Sequence, residues 1–95
     1  MKVVLTAAAR DDLRRIGEWL NLHYPHIALR VERRFRDVFA RIGHWPESGP
    51  PSAKREGVRV MPLGRYLYRI FYRVRDETVE ILHIHHAKRE PWDEV

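Results

Sequence analysis

The apolar period of this 95-residue chain changes from 3.6 residues to 2 near Gly57, so the half before that point must bury helical stripes and the half after it alternate strand positions. Residues 2 to 5 form a short β-branched run, and Thr6 follows with a hydroxyl suited to a helix N-cap. The spacing predicts a first helix from about Ala7 to His23. Its buried stripe is Ala9, Leu13, Ile16 and Leu20; Arg10, Asp11, Asp12, Arg14, Arg15 and Glu18 form the wet face. Gly17, on the edge of the stripe, costs about 1 kcal/mol relative to Ala, which close approach of another backbone would explain. Pro25 stops this helix and opens a second one, running to about Ile42 on the stripe Ala28, Val31, Phe35, Val38 and Ile42. On it, Glu32/Arg36, Arg33/Asp37 and Asp37/Arg41 have the spacing of solvated surface pairs.

Gly43 to Gly57 is rich in Pro, Gly and Ser and long for a loop, so it is either pinned, with Trp45 as the expected anchor, or functional. Strands are expected near 58–62, 66–75 and 78–86, separated by Leu63-Gly64-Arg65 and by Asp76-Glu77. The expected architecture is one α+β domain over 1–95. A strand precedes an antiparallel helical hairpin, which packs on one face of a small, mostly antiparallel sheet in the order β-α-α-β-β-β. Ninety-five residues support one core, which excludes a two-domain enzyme.

A single helical pair covers one face of a sheet, so the other face is the candidate site. A two-residue loop at Asp76-Glu77 predicts Val74 opposite Val79, Tyr72 opposite Ile81 and Ile70 opposite His83 on the helix side. Arg73/Glu80, Phe71/Leu82, Arg69/Ile84 and Leu67/His86 then lie outside. A three-residue loop before them sets Val60 against Tyr68 and Val58 against Ile70 inside, with Arg59 directly opposite Arg69 outside. Two opposed guanidinium groups repel, an arrangement that makes sense if an anion sits between them.

Charge points the same way. Eighteen Lys+Arg stand against thirteen Asp+Glu, and fifteen of the eighteen are Arg, whose planar fork suits carboxylate and phosphate. The partner is expected to be anionic. No cysteine is present, which removes disulfides, thiolate nucleophiles and sulfur-based zinc sites. His83, His85 and His86 raise the question of a metal, but no second motif offers ligand spacing. The expectation is no metal and no cofactor, with His83 a hydrogen-bonded inner residue. His86, three residues before Arg89, is a candidate acid or base beside Arg69, or else a cap of the sheet edge. The apolar run Val3-Val4-Leu5 is too short for a signal peptide or span, so no membrane partner and a cytoplasmic location are expected.

The segments Gly57-Val58-Arg59-Val60, Tyr68-Arg69-Ile70-Phe71-Tyr72-Arg73-Val74 and Ile81-Leu82-His83-Ile84-His85-His86-Ala87-Lys88-Arg89 resemble, in order and spacing, the RelE/ParE superfamily of bacterial toxin–antitoxin toxins. Ala8-Ala9-Arg10-Asp11-Asp12-Leu13-Arg14-Arg15-Ile16 is similar to that family's first helix. The resemblance implies the helical-hairpin-on-sheet fold and one of two activities. RelE-like members cut mRNA in the ribosomal A site; Arg69 and Arg89 match their arginines, and His86 would be the acid–base candidate. Their second-strand lysines have no counterpart beside Arg59, where Val58, Val60 and Met61 stand. Pro91-Trp92-Asp93-Glu94-Val95 occupies the place of their terminal Tyr. ParE-like members lack the nuclease residues and poison DNA gyrase, and the sequence leans toward them. Either branch implies a cognate antitoxin with a DNA-binding N-terminal part and an acidic, amphipathic C-terminal segment. Arg59, Arg69, Phe71, Arg73, Arg89 and Trp92 are the expected contacts for antitoxin or target.

Overall fold

Thr6 caps the first helix as expected, its side-chain oxygen accepting the Ala9 N–H at 3.2 Å. In a computed structural model that describes residues 1–88, the elements are β1 (Lys2–Leu5), α1 (Ala7–His23), α2 (Pro25–His44), β2 (Arg59–Pro62), β3 (Tyr68–Arg75) and β4 (Thr78–His86). The four strands form one sheet in the order β1-β4-β3-β2. β1 runs parallel to β4, and the other two pairings are antiparallel. The parallel pair requires a crossover, which the helical hairpin supplies. No helix among the described residues is long and apolar enough to cross a membrane.

The core lies between the hairpin and one sheet face. Val31, Phe35, Val38 and Ile42 of α2 meet Ile70, Tyr72, Val79, Ile81 and Ile84 of the sheet, each fully buried aliphatic contributing about 1.5–3 kcal/mol. Gly17 departs from expectation, since nothing lies within 4 Å of a Cβ built there. Of the two helical glycines it is Gly43 that is closely approached, where a Cβ would sit 3.0 Å from Val3 Cγ2 and 3.1 Å from Met1 O.

Asp76 and Glu77 adopt φ of 53° and 59°, the left-handed pair of a two-residue type I′ hairpin. That turn sets Val74 opposite Val79, Arg73 opposite Glu80 and Tyr72 opposite Ile81, as the alternation predicts. Beyond Tyr72 the register slips by one: Phe71 faces His83, Ile70 faces Ile84, Arg69 faces His85 and Tyr68 faces His86. Leu82 is the extra residue of a β-bulge, and every β4 side chain after it reverses its expected face. Ile84, not His83, is the next core residue after Ile81.

The β2–β3 register also differs. Arg59 faces Tyr72, Val60 faces Phe71, Met61 faces Ile70 and Pro62 faces Arg69. The turn is longer than three residues because Leu63 drops fully buried into the core, its N–H bonded to Tyr68 O at 3.0 Å and its carbonyl to Arg34 Nε at 2.9 Å. The resulting offset from the expected pairing is odd, so Arg59 lands on the helix side and the opposed Arg59/Arg69 pair does not form.

The loop after α2 is anchored without Trp45, which is 66% exposed. Tyr72 Oη accepts the Gly49 N–H at 2.9 Å and donates to Pro46 O at 2.8 Å. Arg59 Nη1 donates to Gly49 O at 2.8 Å and to Glu47 O at 3.3 Å.

Candidate functional site

β1 ends at Leu5, opposite Ile81, which leaves the outer edge of β4 without a strand from residue 82 onward. The start of α1 completes it. Thr6 N–H donates to Ile81 O at 3.0 Å, and Thr6 Oγ1 lies 2.8 Å from Ile81 O and 3.1 Å from Leu82 O. Asp12 Oδ2 then accepts the Ile84 N–H at 2.9 Å, while Oδ1 pairs with Arg15 Nη2 at 2.6 Å. Asp12, expected on the wet face, is 5% exposed. Its spacing held the signal, since positions 9, 12 and 16 follow the same helical stripe.

The sheet face away from the hairpin carries Arg69, Phe71 and Arg73 of β3 beside Val60, Glu80, His83 and His85 of the flanking strands. The His83 and His85 rings lie 5.3 Å apart, and Phe71 meets His85 edge-on at 5.8 Å. Phe71 is on the predicted face, buried there, and lines a shallow pocket with Val60 and Arg69. Arg73 Nε bonds Glu80 Oε1 at 2.7 Å, and Arg75 Nη2 reaches Oε2 at 3.2 Å. The Arg73 hydrogen bond, with the charges of Arg75 and Arg73, holds the Glu80 carboxyl below the usual glutamate range against the opposing effect of burial. Among the described residues no carboxylate pairs with exposed Arg69, which makes it the available cation of this row.

His86 is not beside Arg69. The bulge turns it to the helix side, where it meets Tyr68 edge-on at 5.1 Å and lines a small cavity with Asp12, Arg15, Ile16, Trp19 and Ile84. Its Nδ1 accepts the Lys88 N–H at 3.2 Å. His83, expected inside, comes to the front edge instead, with Nδ1 3.3 Å from Asp12 Oδ2. Arg59 is spent on the loop after α2. Arg89 and Trp92 lie outside the described residues.

A second surface opens between the helices. A groove of about 680 Å³ has Leu13, Gly17, Leu20, Ala28 and Phe39 along its walls, and Arg10, Arg14 and Arg36 among its lining cations. Leu29, on the same groove, is 54% exposed.

A family model described as the ParE toxin of the type II toxin–antitoxin system parDE matches residues 3–91. Among solved structures, a chain of the chromosomal ParDE toxin–antitoxin system from P. aeruginosa is similar with a TM-score of 0.79 at 23% identity, over 90% of this chain and 95% of that one. A chain of the RelBE2 toxin–antitoxin complex from Mycobacterium tuberculosis is similar with a TM-score of 0.60 at 31% identity, again over 90% and 95%. No curated protein matches in sequence.

Proposed function

The chain belongs to the ParE toxin family of type II toxin–antitoxin systems, and we propose from that membership that it arrests growth by binding DNA gyrase and is neutralised by a cognate antitoxin. The observation that carries the binding mode is the separation of Arg69 from His86 by the sheet itself. Cutting RNA requires a base for the 2′-hydroxyl, an acid for the leaving oxygen and a cation on the phosphate, all within hydrogen-bond reach of one another. Arg69 and His86 face opposite sides and do not serve one phosphate together. That favours a toxin working by occupancy of a target.

One arrangement keeps the ribosome-dependent mRNA endonuclease as a second reading: Arg69 shares its face with His83 and His85. The purified chain separates the two. Incubated with gyrase and DNA, it should accumulate cleaved DNA–gyrase complexes while leaving mRNA on translating ribosomes intact. Ribosome-dependent message cutting without gyrase trapping would assign the nuclease instead.

The antitoxin reading rests on charge and shape. An acidic amphipathic segment fits an apolar groove beside Arg10, where Arg14 and Arg36 already pair with Asp11, Glu18 and Glu32, or the front cation Arg69. Such a complex weakens with salt, and Arg69→Glu raises its dissociation constant if the front face takes part. An unchanged constant in Arg69→Glu would confine the antitoxin to the groove.

A further inference from the structure

We propose that Asp12, His83 and His85 form a binding site for a divalent transition-metal ion of zinc-like chemistry. Along β4 only His83 and His85 share a face, and Asp12 stands 71 residues from His83 in the chain. Folding supplies the third. One ligand atom from each of the three residues lies within 4.8 Å of the others, and Asp12 Oδ2 is 3.3 Å from His83 Nδ1. Ligand atoms about 2.1 Å from a tetrahedral zinc are roughly 3.4 Å apart, so the Asp12–His83 edge already has the required length, and a set lying within 4.8 Å closes on an ion by side-chain movement alone.

The donor set selects the ion. Two imidazoles with one carboxylate suit zinc and its late first-row neighbours, whereas magnesium and calcium require oxygen ligands. The carboxylate is also held in place. Arg15 takes Oδ1, and Oδ2 accepts the Ile84 N–H while keeping a second lone pair for a metal. The His83 side chain is 38% exposed, leaving the remaining coordination positions open to water. The Arg15 guanidinium on Asp12 Oδ1 opposes an added dication, so the site binds more weakly than a closed cysteine site. Because one ligand is on α1 and two are on β4, a bound ion joins the helix to the strand edge and stabilises the fold by mass action.

The test uses untagged full-length chain and zinc alone, with affinity read by competition against a chromophoric chelator and thermal unfolding recorded with zinc and with chelator. The expected result is one ion per chain and a zinc-dependent rise in Tm. In His83→Ala and His85→Ala, both checked for native far-UV circular dichroism, affinity falls by roughly tenfold or more and the Tm response disappears. His23→Ala and His26→Ala, away from the site, bind as the parent does. The imidazole variants carry the test because Asp12 also supports the fold. Failure to bind one ion, or binding that survives both imidazole substitutions, overturns the proposal.

Discussion

Asp12 of α1 and Ile84 of β4 are joined by a 2.9 Å hydrogen bond from the Ile84 backbone N–H to Asp12 Oδ2. A helix side chain thereby takes the position that a neighbouring strand would occupy, just past the point where β1 ends. The carboxylate is almost wholly buried, and its other oxygen is satisfied by Arg15.

Replacing Asp12 by Ala leaves a buried backbone donor without a partner and removes the Arg15 contact. A loss of about 2–3 kcal/mol is expected in urea unfolding, together with faster hydrogen exchange at the Ile84 amide. The exposed neighbour Asp11, paired with Arg14 and Arg15 on the helix surface, should change stability little when replaced. Equal losses at the two positions would contradict the assigned edge role.

Gly17 and Gly43 respond in opposite directions to an added methyl. Gly17→Ala meets open space in a helix interior and should raise stability by about 0.5–1 kcal/mol. Gly43→Ala pushes against Val3 Cγ2 and Met1 O and should lower it by about 1–3 kcal/mol. Urea midpoints of the two single variants provide the comparison.

Tyr72→Phe removes an oxygen that accepts from Gly49 and donates to Pro46. The buried Gly49 N–H is then unsatisfied, at a cost of about 1–3 kcal/mol. The loss should appear as protease sensitivity within residues 45–58 as well as in the unfolding midpoint. A midpoint drop with the loop still protected would mean that Arg59 and the backbone bonds from Ser52 N–H to Val58 O and from Val60 N–H to Pro50 O suffice to hold the segment.

Glu80 gives the protein an acid-side dependence. Its folded pKa is depressed by the Arg73 hydrogen bond and by Arg75, so its contribution is complete above the unfolded glutamate value of about 4.3 and disappears as pH falls through the lower folded value. The parent should therefore exceed Glu80→Gln in urea midpoint at neutral pH, with the gap closing across that window. A gap independent of pH would remove Glu80 from the acid response.

Local signals made much of the fold legible. Thr6, Pro25 and the 3.6-residue stripes mark both helices, and Asp76-Glu77 marks a hairpin whose first four pairs follow from alternation alone. The errors arose where tertiary packing intervened. Leu63 leaves the turn to fill the core, which lengthens the connection and carries Arg59 to the other side. Leu82 bulges out of register, exchanging the faces expected for His83 and His86. Arg69 and Arg73 keep their predicted face because the extra residue lies on β4 and the alternation of β3 back from the 76–77 turn is unbroken, and the predicted Arg73/Glu80 pair forms as an ion pair. Asp12 was visible in the helical spacing but masked by the charged residues around it.

The surplus residue in β4 bears on how chemistry transfers between kindred chains. A homologue with a one-letter gap at column 82 would keep the rings at 83 and 85 in the positions described for this protein, since the ladder already skips that place. An ungapped homologue whose β4 is hydrogen-bonded regularly would turn those rings inward while matching letter for letter. Where alignment software opens its gap in this strand therefore decides whether two identical histidines inherit the same job.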